Sequence, residues 1–126
     1  TGMITKVFLF IEQNSFSEFV QKWCEENGIG AEIIDSKSNY LDASNGIVLF
    51  HENHNFSKES EDLLDIYEKN NLPIHKVDIN GTLVATSSSF HHWLDRNKIE
   101  RLLVIGGANL TENENLLRFF GRIAVS

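Results

Sequence analysis

The chain has little cysteine, little proline and a deficit of basic charge. Each shortage closes off a class of answers. The only cysteine, Cys24, excludes an intramolecular disulfide, so a buried core has to hold the fold. The only proline, Pro73, leaves long stretches free to form regular structure. Lysine and arginine number 11 against 18 aspartates and glutamates, a formal net charge of −7. With no basic excess to neutralise phosphates, nucleic acid and anionic membrane surfaces are not expected partners. No apolar run is long enough to span a bilayer, and nothing reads as a secretion signal, so a cytoplasmic location is the expectation. Glycine-rich phosphate loops are missing too. The chain contains neither Gly-x-Gly-x-x-Gly nor a Walker sequence, and the segment after the first apolar run, Glu12-Gln13-Asn14-Ser15, has no glycine.

What is present is alternation. Apolar runs at Val7–Ile11, Ala31–Asp35, Gly46–Phe50, Ile74–Ile79 and Arg101–Ile105 take turns with amphipathic stretches. Continuous Val/Ile/Leu runs read as strands covered on both faces, and 126 residues suit a single domain over 1–126. The expected fold is a three-layer α/β/α sandwich of flavodoxin-like type. Its five-stranded sheet is mostly parallel, in the order 2-1-3-4-5.

Local signals place the helices. Ser15 and Glu18 form a capping box ahead of a helix over Phe16–Asn27, which Gly28 stops in a left-handed turn. Tyr40–Ala43 has room for one helical turn. Ser57 caps a helix to Asn70 whose inner face is Leu63, Ile66 and Tyr67. Asn80-Gly81 is a turn, with Leu83-Val84-Ala85 as a short return strand and a helix over Ser87–Asn97 presenting Phe90, Trp93 and Leu94. Thr111 and Glu114 form a second capping box. The helix after them buries Leu116, Leu117, Phe120 and Ile123.

In an open parallel sheet a ligand sits beyond the carboxyl ends of the strands, where the strand order reverses. For the order 2-1-3-4-5 that lies between the loops Glu12–Ser15 and His51–His54. The candidate ligand-binding residues are Glu12, Asn14, Asp35, His51 and Asn109, which suit a small polar ligand. Polar loops after strands are also ordinary, and that plainer reading stands beside this one. His51 and His54 with Glu52 carry donor atoms for a divalent ion, but two loop histidines without a third strong ligand bind weakly, so no metal and no cofactor are expected. Cys24 shares an apolar helix face with Trp23 and reads as a core thiol. Gly106-Gly107 reads as turn chemistry.

Four segments resemble Toll/interleukin-receptor-like (TIR-like) domains. Thr5-Lys6-Val7-Phe8-Leu9-Phe10 is similar to their first strand. Tyr40-Leu41-Asp42-Ala43-Ser44 followed by Ile47-Val48-Leu49-Phe50 is similar to their short helix and third strand. Ser57-Lys58-Glu59-Ser60-Glu61-Asp62-Leu63 resembles the next helix, and Leu117-Arg118-Phe119-Phe120 a late Phe-Trp box. The resemblance implies a binding or signalling module with a protein partner, and a homodimer is a reasonable expectation for a small domain. Some TIR-like domains cleave the glycosidic bond of NAD⁺ with a glutamate on that helix, four residues after a tryptophan. Here Glu59, Glu61 and Asp62 stand without the tryptophan. The enzymatic alternative is a nucleotide glycosidase with Glu12 or Asp62 as the carboxylate and His51 as acid/base.

Overall fold

The computed structural model describes residues 4–35 and 40–123. Five strands alternate with five helices: β1 (Lys6–Phe10), α1 (Asn14–Glu26), β2 (Gly30–Ile34), α2 (Tyr40–Ala43), β3 (Gly46–His51), α3 (Lys58–Lys69), β4 (Ile74–Asp78), α4 (Leu83–Asn97), β5 (Arg101–Gly106) and α5 (Glu114–Ile123). Short 3-10 turns over Ile11–Gln13 and Ala108–Glu112 precede α1 and α5. All four strand pairings are parallel.

The strand order is 2-1-5-3-4, not 2-1-3-4-5. β5 lies at the centre, between β1 and β3, and like β3 it is apolar enough to lose both faces to the core. From Leu102 to Gly106 every residue is buried. β4 carries His75, Lys76 and Asp78, only Val77 is buried, and it takes an edge, where polar residues reach water. β2 is the other edge, with Gly30, Glu32 and Ile33 exposed.

Alternate residues of each strand feed two cores. Val7, Leu9, Val48, Phe50, Val77, Leu102 and Val104 pack under α1, α4 and α5. Phe8, Phe10, Ile47, Leu49, Leu103 and Ile105 pack under α2 and α3. Phe50 anchors the first core. Its ring meets those of Phe16, Phe90, Phe119 and Phe120 at centroid distances of 6.0, 6.4, 5.4 and 5.2 Å. Such pairs contribute roughly 0.5–1.5 kcal/mol each beyond area burial. The Trp23 indole N–H donates to the Phe120 carbonyl at 3.0 Å and joins α1 to α5.

The caps explain several boundaries. Ser57 accepts the Ser60 N–H at the start of α3, and Gly28 (φ 69°) follows α1. Five local expectations change. α1 begins at Asn14, so Ser15 lies inside it rather than capping it. Leu83-Val84-Ala85 is the first turn of α4, because Leu83, Ser87, Phe90 and Leu94 share one helical face. α5 is capped by Asn113, whose Oδ1 accepts the Asn115 N–H at 2.9 Å, in place of Thr111. Leu117 is 66% exposed while Phe119 is buried, since Leu116 already fixes the inner face and its neighbour points away. On α3, Ser60, Leu64 and Tyr67 are buried, with Leu63 and Ile66 only half-buried.

Candidate functional site

The order of the sheet moves the crevice. β5 leads to α5 on one face and β3 leads towards α3 on the other, so the two chain directions part between β5 and β3. β1 is separated from β3 by the whole of β5, roughly 10 Å at two strand spacings. Glu12 therefore does not share a crevice with His51 as a neighbour of β3. It is exposed in the 3-10 turn after β1. Asp35 is exposed beyond β2 at the far edge. Asn14 opens α1, and its side chain lies outside the described residues. Asp62 is exposed on α3. Asn109 stands on the rim of the β5–β3 crevice.

The centre of that rim is a turn. Asn53 and His54 have φ of 49° and 67°, and the Asn55 N–H donates to the Glu52 carbonyl at 2.8 Å. Positive φ at both central residues is the mark of a type I′ turn, a conformation that asparagine and histidine tolerate better than most side chains. Two side chains hold it, Asp78 and His51. The Asn53 N–H donates to Asp78 Oδ1 at 3.2 Å, which also accepts the Asn80 N–H at 3.0 Å. The His54 N–H donates to His51 Nδ1 at 3.0 Å. The His51 ring stacks on His54 at 5.1 Å, lies edge-on to Phe56 at 5.6 Å, and is 2% exposed.

These contacts set the charges. An imidazole that accepts through Nδ1 is the neutral Nε2–H tautomer. Burial lowers the His51 pKa below its ordinary value; Asp78 pulls it up, while His54 and Lys76 add to the lowering. Burial works to raise the Asp78 carboxyl, but the Asn80 and Asn53 N–H groups and the two imidazoles outweigh it and hold Asp78 below the usual range. Cys24, fully buried, is pushed up to about 12 by burial and then by Glu25, which makes it a core thiol and not a nucleophile.

The turn divides the rim into two hollows. One, of about 400 Å³, is lined by Glu52, Asn109, Glu112, Asn113, Glu114 and Asn115. The other, of about 350 Å³, runs along β4 past His51, His54 and Asp78 to Ala85, Thr86 and Ser89 of α4. In the first, the Asn113 amide donates to Glu52 Oε2 at 3.2 Å and to Asn80 Oδ1 at 3.0 Å, and Asn115 donates to the same Asn80 oxygen at 3.2 Å. One polar network thus joins the ends of β3, β4 and β5. Glu114 also meets Arg118 at 3.4 Å, on the exposed surface of α5. Among the described residues no group of three His, Cys, Asp or Glu side chains is arranged to hold a metal ion.

Of the residues expected to bind a ligand, Asn109 and His51 lie at these hollows; Glu52, Asn113 and Asn115 join them as contacts not expected from the sequence. Nothing local marks them, since the Glu52–Asn113 contact joins residues 61 apart in the chain. Gly106 has a packing role. A Cβ there would lie 2.8 Å from the Phe16 ring and 2.9 Å from Leu110. Gly107 meets nothing within 4 Å.

No protein-family model matches the chain, and no curated protein matches it. Among solved structures it is similar to a Syntrophus aciditrophicus protein described as "Putative molybdenum carrier protein". The TM-score is 0.66 at 10% identity, over 99% of this chain and 97% of that one. At that identity the likeness shows the fold: an α/β domain with a five-stranded parallel sheet. Among the described residues no helix is long and apolar enough to cross a membrane.

Proposed function

We propose that this chain is a small-ligand binding module whose site is the hollow between the β3 turn and the segment from β5 to α5. The observation that carries this reading is the hollow's lining: three carboxylates and three amides, with no lysine or arginine among them. Carboxylates accept hydrogen bonds and repel anions, whereas amides both donate and accept. The ligand that suits them is uncharged and rich in hydroxyl groups, such as a ribose or another sugar. Oxyanions, molybdate included, are poorly matched to this lining. The molybdenum in the neighbour's description therefore supports a small ligand at this sheet without supporting the same one.

The glycosidase reading needs a carboxylate and an acid/base group together. Glu52, which lines the hollow, supplies the first. His51 lies under the turn with Nδ1 engaged, which favours binding over bond cleavage. The TIR-like signalling reading rests on the four segment likenesses, with Leu117 exposed on α5 as an apolar handle for a protein partner.

Titration of the ¹⁵N-labelled protein with adenosine, ribose and sodium molybdate tests the proposal. Adenosine or ribose is expected to shift the amides of Glu52, Asn109, Asn113 and Asn115. Shifts with molybdate alone, or shifts confined to the opposite rim around Gly28 and Asn45, would sink it.

A further inference from the structure

Among the described residues His51 is the buried imidazole, and its Nδ1 accepts a backbone N–H. We infer that His51 is a positioning residue for the rim pocket: its neutral ring holds the turn that presents Glu52, and protonation of that ring releases the turn. The inference rests on the pocket being the ligand site, but its first readout does not.

The His54 N–H has His51 Nδ1 as its acceptor at 3.0 Å. A proton on Nδ1 would place two donors against each other, and the ring, 2% exposed, has little room to turn away. His54 sits at a positive φ of 67°, a conformation that side chains keep only when their surroundings fix it. Losing that hydrogen bond leaves the turn held through Asn53 to Asp78 and through the Asn55–Glu52 backbone bond. Glu52 begins the turn, so its grip on Asn113 loosens with it.

The groups facing the ring come from two places. Asp78 and Lys76 lie on β4, with Lys76 Nζ 5.4 Å above Phe56, and His54 lies on the turn itself. Asp78 favours the charged ring; burial, His54 and Lys76 oppose it. The turn is thus closed at neutral pH and opens only on acidification. That is a graded release of one wall of the pocket, not a change of fold.

The test uses the full chain without ligand first. The amides of Glu52–Asn55 are followed by NMR from pH 7.5 to about 4.5, with His51→Asn and His51→Phe beside wild type. Asparagine puts an acceptor oxygen near the place of Nδ1 and does not titrate. Phenylalanine keeps a ring and removes the acceptor. In wild type, acid is expected to shift the turn amides and to cut exchange protection at His54 about fivefold, the factor one ordinary hydrogen bond supplies. His51→Asn should keep the turn closed across the range, and His51→Phe should leave it loose at neutral pH. Adenosine affinity, measured in parallel, should fall on acidification in wild type and stay level in His51→Asn. A wild-type turn indifferent to acid, or an acid transition unchanged in His51→Asn, would overturn the inference. If the turn responds as described while adenosine binds nothing at any pH, the ligand reading fails and the role of His51 in the turn stands.

Discussion

Two asparagines tie strands together, one at each end of the sheet, and they do so differently. At the amino end, Asn45 works on backbone. Its Oδ1 accepts the N–H groups of Glu100 and Arg101 at 3.2 and 2.9 Å, and its Nδ2 donates to the Lys98 carbonyl at 3.1 Å. At the carboxyl end, the Asn113 amide works on side chains, reaching Glu52 and Asn80. Backbone groups must be satisfied for the fold to exist, so the first arrangement is structural. Side chains on a wet rim can exchange one another for a ligand's hydroxyls, so the second is available for binding. The sheet is held at one end and kept replaceable at the other.

Gly106 is where that division is most easily broken, because it is a structural residue at the binding end. Gly106→Val forces branched carbons against the Phe16 ring and Leu110 and should destabilise the protein by about 3 kcal/mol. Gly107→Ala, with nothing within 4 Å, should stay within about 0.5 kcal/mol. Urea melts of both variants measure this. Equal effects would mean that the glycine pair serves the loop's backbone and not the packing of Phe16.

Asn45→Ala tests the structural end directly. It strips an acceptor from two N–H groups and a donor from a carbonyl, and a loss of about 2 kcal/mol is expected. Ligand binding at the far rim should be unchanged in the fraction that remains folded. Weakened adenosine binding at full occupancy of the folded state would show that the two ends are coupled.

What is local in this fold is legible in the sequence, and what is long-range is not. Apolar runs gave all five strands to within a residue or so, and Ser57, Gly28 and the single turn at Tyr40–Ala43 marked their own places. Strand order depends on which strands can be buried on both sides. That contrast is legible between Leu102-Leu103-Val104-Ile105 and His75-Lys76, and it places β4 at an edge where the usual order 2-1-3-4-5 does not. Leu83-Val84-Ala85 misled because three apolar residues suit either period; the helical face emerges only on reaching Ser87 and Phe90. The pocket was out of reach, since Glu52, Asn80 and Asn113 meet only after the crossovers bring their strands together.

Acid sharpens the comparison by loading the two ends unequally. Burial lowers the pKa of His51, and of His75, which stacks on Trp93 at 5.1 Å. A histidine with a lowered folded pKa takes up its proton more readily when unfolded. Stability is therefore level above the ordinary histidine value of 6.5, falls as pH drops below it, and finishes falling below the folded value. Asp78, lowered in the folded state, adds a second loss below the ordinary carboxylate value of 3.8. Thermal melts against pH should show the first limb in wild type and a flatter one in the His51→Asn, His75→Phe double variant. An unchanged limb would place the acid sensitivity elsewhere.

A small effect on stability should accompany the clearest effect on binding, and Asn113→Asp is the substitution that separates the two. Asn113 has two roles. Its Oδ1 caps α5 through the Asn115 N–H, and its Nδ2 bridges Glu52 and Asn80. Aspartate keeps the cap oxygen, and its charge suits a helix N-terminus, which offsets part of the lost bridge, so stability should fall by no more than about 1 kcal/mol. The bridging donor is lost, and a new carboxylate faces Glu52. The turn and α5 are then no longer drawn together, and the hollow loses its defined wall. Adenosine affinity should fall about tenfold, the cost of one hydrogen bond to a charged group. Asn113→Ala gives the converse, losing cap and bridge alike. If Asn113→Asp binds as wild type does, the bridge is no more than a second structural tie, and the carboxyl end of this sheet resembles the amino end after all.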